Sequence, residues 1–210
     1  AQRASLNLAP CHLHQLVENV QFMFAARVEA KHLAFHLELA PDLPTAVLAD
    51  EAKIRQILVN LLSNAVKFTE RGTITLRLRA LPQDREHWLV QTEVEDTGPG
   101  IAPSELGLLF QQFEQTATGR KAGTGTGLGL AISREFARMM EGDIAVRSVE
   151  GHGSVFTVTL RLGATPDEPA RPRPAAPPRA LHLAAGQPPC PILVVDDQED
   201  SRRLLQSLLR

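Results

Sequence analysis

Residues 50–97 read DEAKIRQILVNLLSNAVKFTERGTITLRLRALPQDREHWLVQTEVEDT. Within them Ile54, Ile57, Leu58, Leu61, Leu62 and Ala65 recur at helical spacing and form one apolar stripe. That pattern predicts a helix over Glu51–Phe68 with the stripe in the core. Asp50 stands where an N-cap belongs, and Gly72 lies just past the end. Two runs follow, Thr73–Leu81 and His87–Glu95, joined by a short polar connection, the pattern of a hairpin. Outward from this unit, apolar spacing predicts a helix from about Cys11 to Lys31 and strands near Ala34–Leu39 and Ala46–Leu48. On the other side come a Gly-rich stretch from Gly98 to Gly129, a helix from about Gly127 to Met140, and closing strands Ile144–Ser148 and Ser154–Leu162. Adjacent strands with separate helices predict an α+β fold, a two-layer α/β sandwich with helices on one face of the sheet.

Bulk properties bound the rest. A chain of 210 residues has room for one domain and part of another. A formal charge of −2 gives no reason to expect nucleic acid as a partner. No apolar run approaches the roughly 20 residues of a membrane helix, and Ala1–Asn7 lacks the regions of a signal peptide. Cys11 and Cys190 match no metal spacing and read as free thiols in a reducing, cytoplasmic compartment. Nine of the 15 prolines fall between Pro166 and Pro191, mixed with Ala and Arg. Proline favours extended chain, so 163–191 is expected to be a semi-rigid Pro/Ala-rich linker after a folded domain over 1–162. An apolar run, Ile192–Val195, then leads into Asp196, Asp197 and a helical pattern to Arg210, a separate segment over 192–210.

Three groups of residues point to chemistry. Asn60, Asn64 and Lys67 share a helix face about 120° around from the apolar stripe, either a cleft edge or a solvated flank. An amide oxygen there can bind Mg²⁺ without cancelling its charge, and a lysine adds a point charge for phosphate. Val90, Thr92, Val94 and Asp96 face one side of their strand, while Gln91, Glu93 and Glu95 face the other and read as solvated. Asp96 thus leaves the sheet on its less polar side before a glycine turn. Its carboxylate either accepts a hydrogen bond from a buried amino group or simply opens the turn. Gly123–Leu130 is glycine-rich and runs into a helix. That arrangement suits either a phosphate cradle or a hinge, with Arg120 and Lys121 nearby favouring an anion.

The ordered set of motifs resembles that of sensor histidine kinases. Ile54–Thr69 resembles the N box, Asp96–Ile101 the G1 box, Leu109–Phe113 the F box, Gly125–Leu130 the G2 box, and Gly151–Phe156 the closing glycine motif. The resemblance covers about Leu6 to Leu162. It implies the Bergerat (GHKL) ATP-binding fold with a mixed sheet, and the cofactors ATP and Mg²⁺. It implies that Asn60 and Asn64 serve Mg²⁺, that Lys67 serves phosphate, with Asn60 and Lys67 catalytic, and that Asp96 reads adenine. It further places Gly98, Gly100, Ile101, Lys121, Gly125, Thr126, Gly127, Leu128 and Gly129 on the nucleotide. Residues from about Pro103 to Gly125 would form a mobile lid anchored by Phe110 and Phe113. Thr124 departs from the family, which often has glycine there.

Gyrase-type and chaperone relatives of the fold place a glutamate where this chain has Asn60. A carboxylate can act as general base on water and an amide cannot, which favours phosphoryl transfer over hydrolysis. None of the seven histidines has the family's acceptor context, so the phospho-accepting histidine is expected on a dimerisation domain upstream of Ala1. Ile192–Asp197 resembles the first strand and acidic pair of a response-regulator receiver, implying Mg²⁺ at Asp196 and Asp197 in an incomplete site. The implied partners are that dimerisation domain and a receiver, in cis or on a separate response regulator. The fragment is expected to be a monomer and the full-length protein a homodimer, with an inner-membrane anchor left open.

Overall fold

The computed structural model describes residues 5–84, 86–111 and 127–165. Eleven elements occupy them: β1 (Ala9–Cys11), α1 (Leu13–Ala30), β2 (Ala34–Leu39), β3 (Val47–Ala49), α2 (Glu51–Phe68), β4 (Thr73–Pro82), β5 (His87–Asp96), α3 (Pro103–Leu106), α4 (Gly129–Met139), β6 (Asp143–Val149) and β7 (Gly153–Ala164). The expected linker, the receiver-like segment with Asp196 and Asp197, and the site residues Phe113, Lys121, Gly125 and Thr126 lie outside the described residues.

The seven strands form one mixed sheet, ordered β1-β3-β7-β5-β4-β2. Only β2 and β4 run parallel; the other pairs are antiparallel. One edge of β7 pairs with β5 along Gly163 to Ser154. Its other edge is divided, taking β6 over Gly153–Thr159 and β3 at Gly163 and Ala164. Ile74, Leu76, Leu78 and Ala80 of β4 and Val90 and Val94 of β5 are buried beneath the helices. The opposite face carries ions: Arg77 binds Glu38 and Glu95, and Arg79 binds Gln91. Gln91, Glu93 and Glu95 are therefore half-buried and partly paired rather than solvated. The sandwich of sheet and one-sided helices is the architecture the sequence predicts.

Helix α2 keeps the expected bounds because both ends are chemically fixed. The Asp50 carboxylate accepts from the Lys53 and Asn7 N–H groups at 3.1 and 3.0 Å, and Lys53 Nζ closes on it at 2.6 Å. Burial pushes the Asp50 pKa up, but these hydrogen bonds outweigh it and hold the carboxyl below its ordinary value. At the other end, Lys31 Nζ donates to the carbonyls of Val66, Lys67 and Thr69 at 2.6, 2.9 and 3.2 Å. A cation on the last carbonyls of a helix satisfies orphan acceptors and opposes the negative end of the dipole.

Some boundaries differ from expectation. Ala9–Cys11 pairs with β3, so α1 starts at Leu13 and not at Cys11. Gly127 has a φ of +71°, which is not helical, so α4 starts only at Gly129. Strand β7 continues past Leu162 to Ala164, and the Thr165 hydroxyl donates to Ala46 O.

Candidate functional site

The ends of α2, β5 and β7 meet at one small cavity. Asn64, Ala65 and Phe68 line it from α2, Asp96 and Ser154 from the strand ends, and Gly100 and Ile101 from the turn after β5. Leu109 and Leu130 complete its apolar side. Its volume is about 70 Å³, below the roughly 300 Å³ of an ordinary ligand pocket. The half-buried Leu109 and Leu130 side chains bound it on that side.

Asp96 is 8% exposed. Its Oδ1 accepts from the Gly98 N–H at 2.9 Å. Burial raises its pKa above the ordinary carboxylate value, against the lowering effect of hydrogen bonds from the Gly98 and Ser154 N–H groups. Two glycines are dictated by packing around this carboxylate. A Cβ on Gly153 would lie 1.9 Å from Asp96 O, and one on Gly100 would lie 2.1 Å from Val149 O. Both also have positive φ. The first turn after β5 is thus pressed onto β6 and β7. Ser148 Oγ secures it, accepting from the Ile101 N–H at 2.8 Å, donating to Gly153 O at 2.8 Å and lying 3.0 Å from Ser154 Oγ.

The amide face of α2 turns toward α4. Asn60 Nδ2 donates to Gly129 O at 3.2 Å and to Ser133 Oγ at 3.0 Å, leaving Oδ1 as the free-facing atom with only Gln56 Nε2 at 3.4 Å. Asn60 thereby joins the N-box helix to the first turn of the helix after the glycine stretch. Lys67 Nζ lies 4.7 Å from the Phe68 ring centroid and is not among the cavity-lining residues. Gly127 and Leu128 precede α4 and also stand outside the lining. Phe110 packs against the core, and the Arg134 guanidinium covers its ring at 4.7 Å. Arg134 is itself clamped by Asp143 through bonds of 2.6 and 2.8 Å.

The structure thus gathers Asn64, Asp96, Gly100 and Ile101 around one cavity, with Gly98 beside Asp96 and Asn60 bonded to Gly129 close by. Sequence reasoning missed Ser133, Ser148, Ser154 and Arg134. Ser154 carried a signal, because it follows the closing glycines on an alternating strand; the others required the packing of distant elements. A larger groove of about 540 Å³ lies among Leu6, Leu48, His87, Met140 and Arg161. Of the charged side chains there, Arg161 pairs with Glu141 and Asp84, and Asp84 also meets His87.

A solved full-length structure of ShkA in complex with AMPPNP superposes with a TM-score of 0.67 at 34% identity, covering 79% of this chain and 33% of that one. The aerobic respiration control sensor protein ArcB of Escherichia coli K12 is 40% identical over 169 residues, 80% of this chain and 21% of its own. The sensor protein TorS of the same strain is 34% identical over 209 residues, 100% of this chain and 21% of its own. Residues 49–164 match the family of histidine kinase-, DNA gyrase B- and HSP90-like ATPases, and the chain belongs to that family. It spans about a fifth of the length of these two sensor proteins.

Proposed function

We propose that this domain binds Mg·ATP at the cavity and donates the γ-phosphate to a histidine on a dimerisation domain preceding it, in a two-component phosphorelay. The observation that carries this reading is Asp96, a buried carboxylate at the end of an otherwise apolar cavity whose α2 wall presents an asparagine amide. The Asp96 oxygen not held by Gly98 accepts the exocyclic amine of adenine, while Ile101, Leu130 and Phe156 enclose the ring. The AMPPNP complex of the structurally similar kinase supports the choice of adenine nucleotide.

Among the described residues no group of three His, Cys, Asp or Glu could hold a metal. That fits Mg²⁺, which keeps most of its ligands from phosphate and water and needs only one or two protein oxygens. Asn60 and Asn64 would supply amide oxygens, and the ion would neutralise charge developing on the transferred phosphoryl group. Asn60 has no carboxylate to deprotonate water, and its amide nitrogen is committed to α4, which favours transfer to a protein acceptor over hydrolysis. Lys67 adds positive charge on the same helix face. The phosphate then passes to a receiver domain, in cis or on a separate response regulator, in a homodimeric full-length protein that acts in the cytoplasm.

Calorimetric titration with ATP and GTP, with and without Mg²⁺, tests the reading. Guanine presents an acceptor where adenine presents its amine, so ATP is expected to bind and GTP not. Equal binding of both nucleotides, or undiminished ATP binding by Asp96→Ala, refutes the role of Asp96.

A further inference from the structure

Strand β2 is an edge of the sheet, paired with β4 alone. The Ala34 N–H donates to Gly72 O and the Ala40 N–H to Leu78 O, both at 2.9 Å. In a parallel ladder, residues that bond the neighbouring strand alternate with residues whose N–H and C=O point away. The backbone groups of Phe35, Leu37 and Leu39 therefore point off the open edge, and none has a partner among the described residues. Such a row is a template for another strand. The side chains alternate too. Phe35, Leu37 and Leu39 are half-buried against the core, while His36 and Glu38 are exposed on the other face. Helix α1 packs on β2, and its uncovered surface carries Phe22 at 83% and Met23 at 55% exposure.

We infer that β2 pairs with β2 of a second copy of this chain, antiparallel about Leu37, joining the two sheets edge to edge. A two-fold axis makes a strand run antiparallel to its own copy. In this register Leu37 meets Leu37, and Phe35 meets Leu39 of the second copy. All are residues with outward-facing backbone, so each pair exchanges both of its bonds. His36 then stands opposite Glu38 of the second copy, twice by symmetry, and opposite partners across strands favour the pairing. The His36 ring has no hydrogen bond or ion pair among the described residues. Glu38 gives Oε2 to Arg77 and keeps Oε1 at the surface. Other registers are worse. A slip of one residue sets outward-facing backbone against inward-facing backbone. Centring on His36 or on Glu38 sets like residues against each other. Joining the sheets also brings the two α1 helices toward one another across the axis, which offers Phe22 and Met23 cover. Strand β2 does not line the cavity at Asp96, so the inference is independent of the nucleotide reading.

The test is sedimentation equilibrium of the 210-residue protein and two variants. A contact this small is weak, so wild type is expected to be monomeric at about 10 μM and to dimerise with a Kd on the order of 0.1–1 mM. Two copies tethered in the proposed homodimer meet at about millimolar concentration, enough to populate it. His36→Glu sets glutamate against Glu38 at both ends of the pairing and is expected to weaken dimerisation about tenfold. His36→Lys keeps opposite charges there and is expected to dimerise at least as tightly as wild type. Position 36 is exposed, so thermal unfolding of both variants should match wild type. Cross-linking checks the register independently. In a Cys190→Ser background, a mixture of His36→Cys and Glu38→Cys proteins is expected to form disulfide-linked dimers. Residues opposite at such a non-bonded antiparallel position have Cα atoms about 4.5 Å apart. Either variant alone is expected not to link, because its own copies lie about 8 Å apart, beyond disulfide reach. A monomer up to about 1 mM, a dimer unmoved by His36→Glu, or linking of single variants as readily as of the mixture overturns the inference.

Discussion

Replacing Asp96 with asparagine separates what the site needs from what the fold needs. The amide oxygen of Asp96→Asn inherits the Gly98 N–H bond, which the wild type makes at 2.9 Å through Oδ1. One oxygen remains to accept from the Gly98 and Ser154 N–H groups, and an NH₂ donor replaces the second acceptor oxygen. Adenine's amine meets a donor in place of a charged acceptor. A hydrogen bond to a charged group is worth about 1.5–3 kcal/mol, so ATP affinity should fall about 10- to 150-fold. Stability should move the other way. Burial raises the Asp96 pKa in the folded protein, so the stabilising contribution of this group is fully present only below the ordinary carboxylate pKa. It is lost as pH rises through the folded value, and at neutral pH the buried charge is a burden on the fold. Asparagine carries no such charge, so the melting temperature at neutral pH should rise. Calorimetric titration and thermal unfolding of the same preparations read both quantities. Unchanged ATP affinity, or a lowered melting temperature at neutral pH, refutes this account of Asp96.

Gly153→Ala places a Cβ 1.9 Å from Asp96 O at a φ of +114°, so denaturant unfolding should show a loss of about 2–4 kcal/mol. Little or no loss would mean that the strand end gives way freely. Lys31→Met removes the ammonium from two carbonyls of α2 and from that of Thr69 just past its end, and should cost about 1 kcal/mol, with faster amide exchange confined to the last turn of that helix. Uniform change across α2 would contradict a local cap. The Asp50 carboxyl lies below its ordinary pKa when folded, so its contribution is present above the ordinary carboxylate pKa and lost as pH falls through the folded value. Asp50→Asn should therefore cost about 1–2 kcal/mol at neutral pH, with the difference from wild type vanishing in acid; a pH-independent difference would exclude this linkage.

The parts of the fold that were legible in the sequence are those whose signals are local. Helix α2 carries its own cap at Asp50 and a complete apolar stripe, and residue type alternates over Thr73–Ala80 of β4 and Val90–Asp96 of β5. Strand β1 escaped notice because three residues around Pro10 gain strand character only by pairing with β3. The beginning of α4 was placed too early because the glycine spacing does not reveal the φ of Gly127. In the site, Asn64 and Asp96 could be placed together from motif order. Asn60's attachment to Gly129 and Ser133 joins residues about 70 positions apart, which no local pattern encodes.

The pairing of β3 with both β1 and the end of β7 has a mechanical consequence. Cys11 lies opposite Val47, and Val47 lies opposite Ala164, so the described backbone enters and leaves the sheet side by side. The Asp96 carboxylate sits at the far end of β7, beside Ser154, ten residues from Ala164 or about 33 Å away along the strand. A force applied at that rim is borne by the pairing of β3 with β1 and β7 and must pass along the length of β7 before it reaches the residues around Asp96.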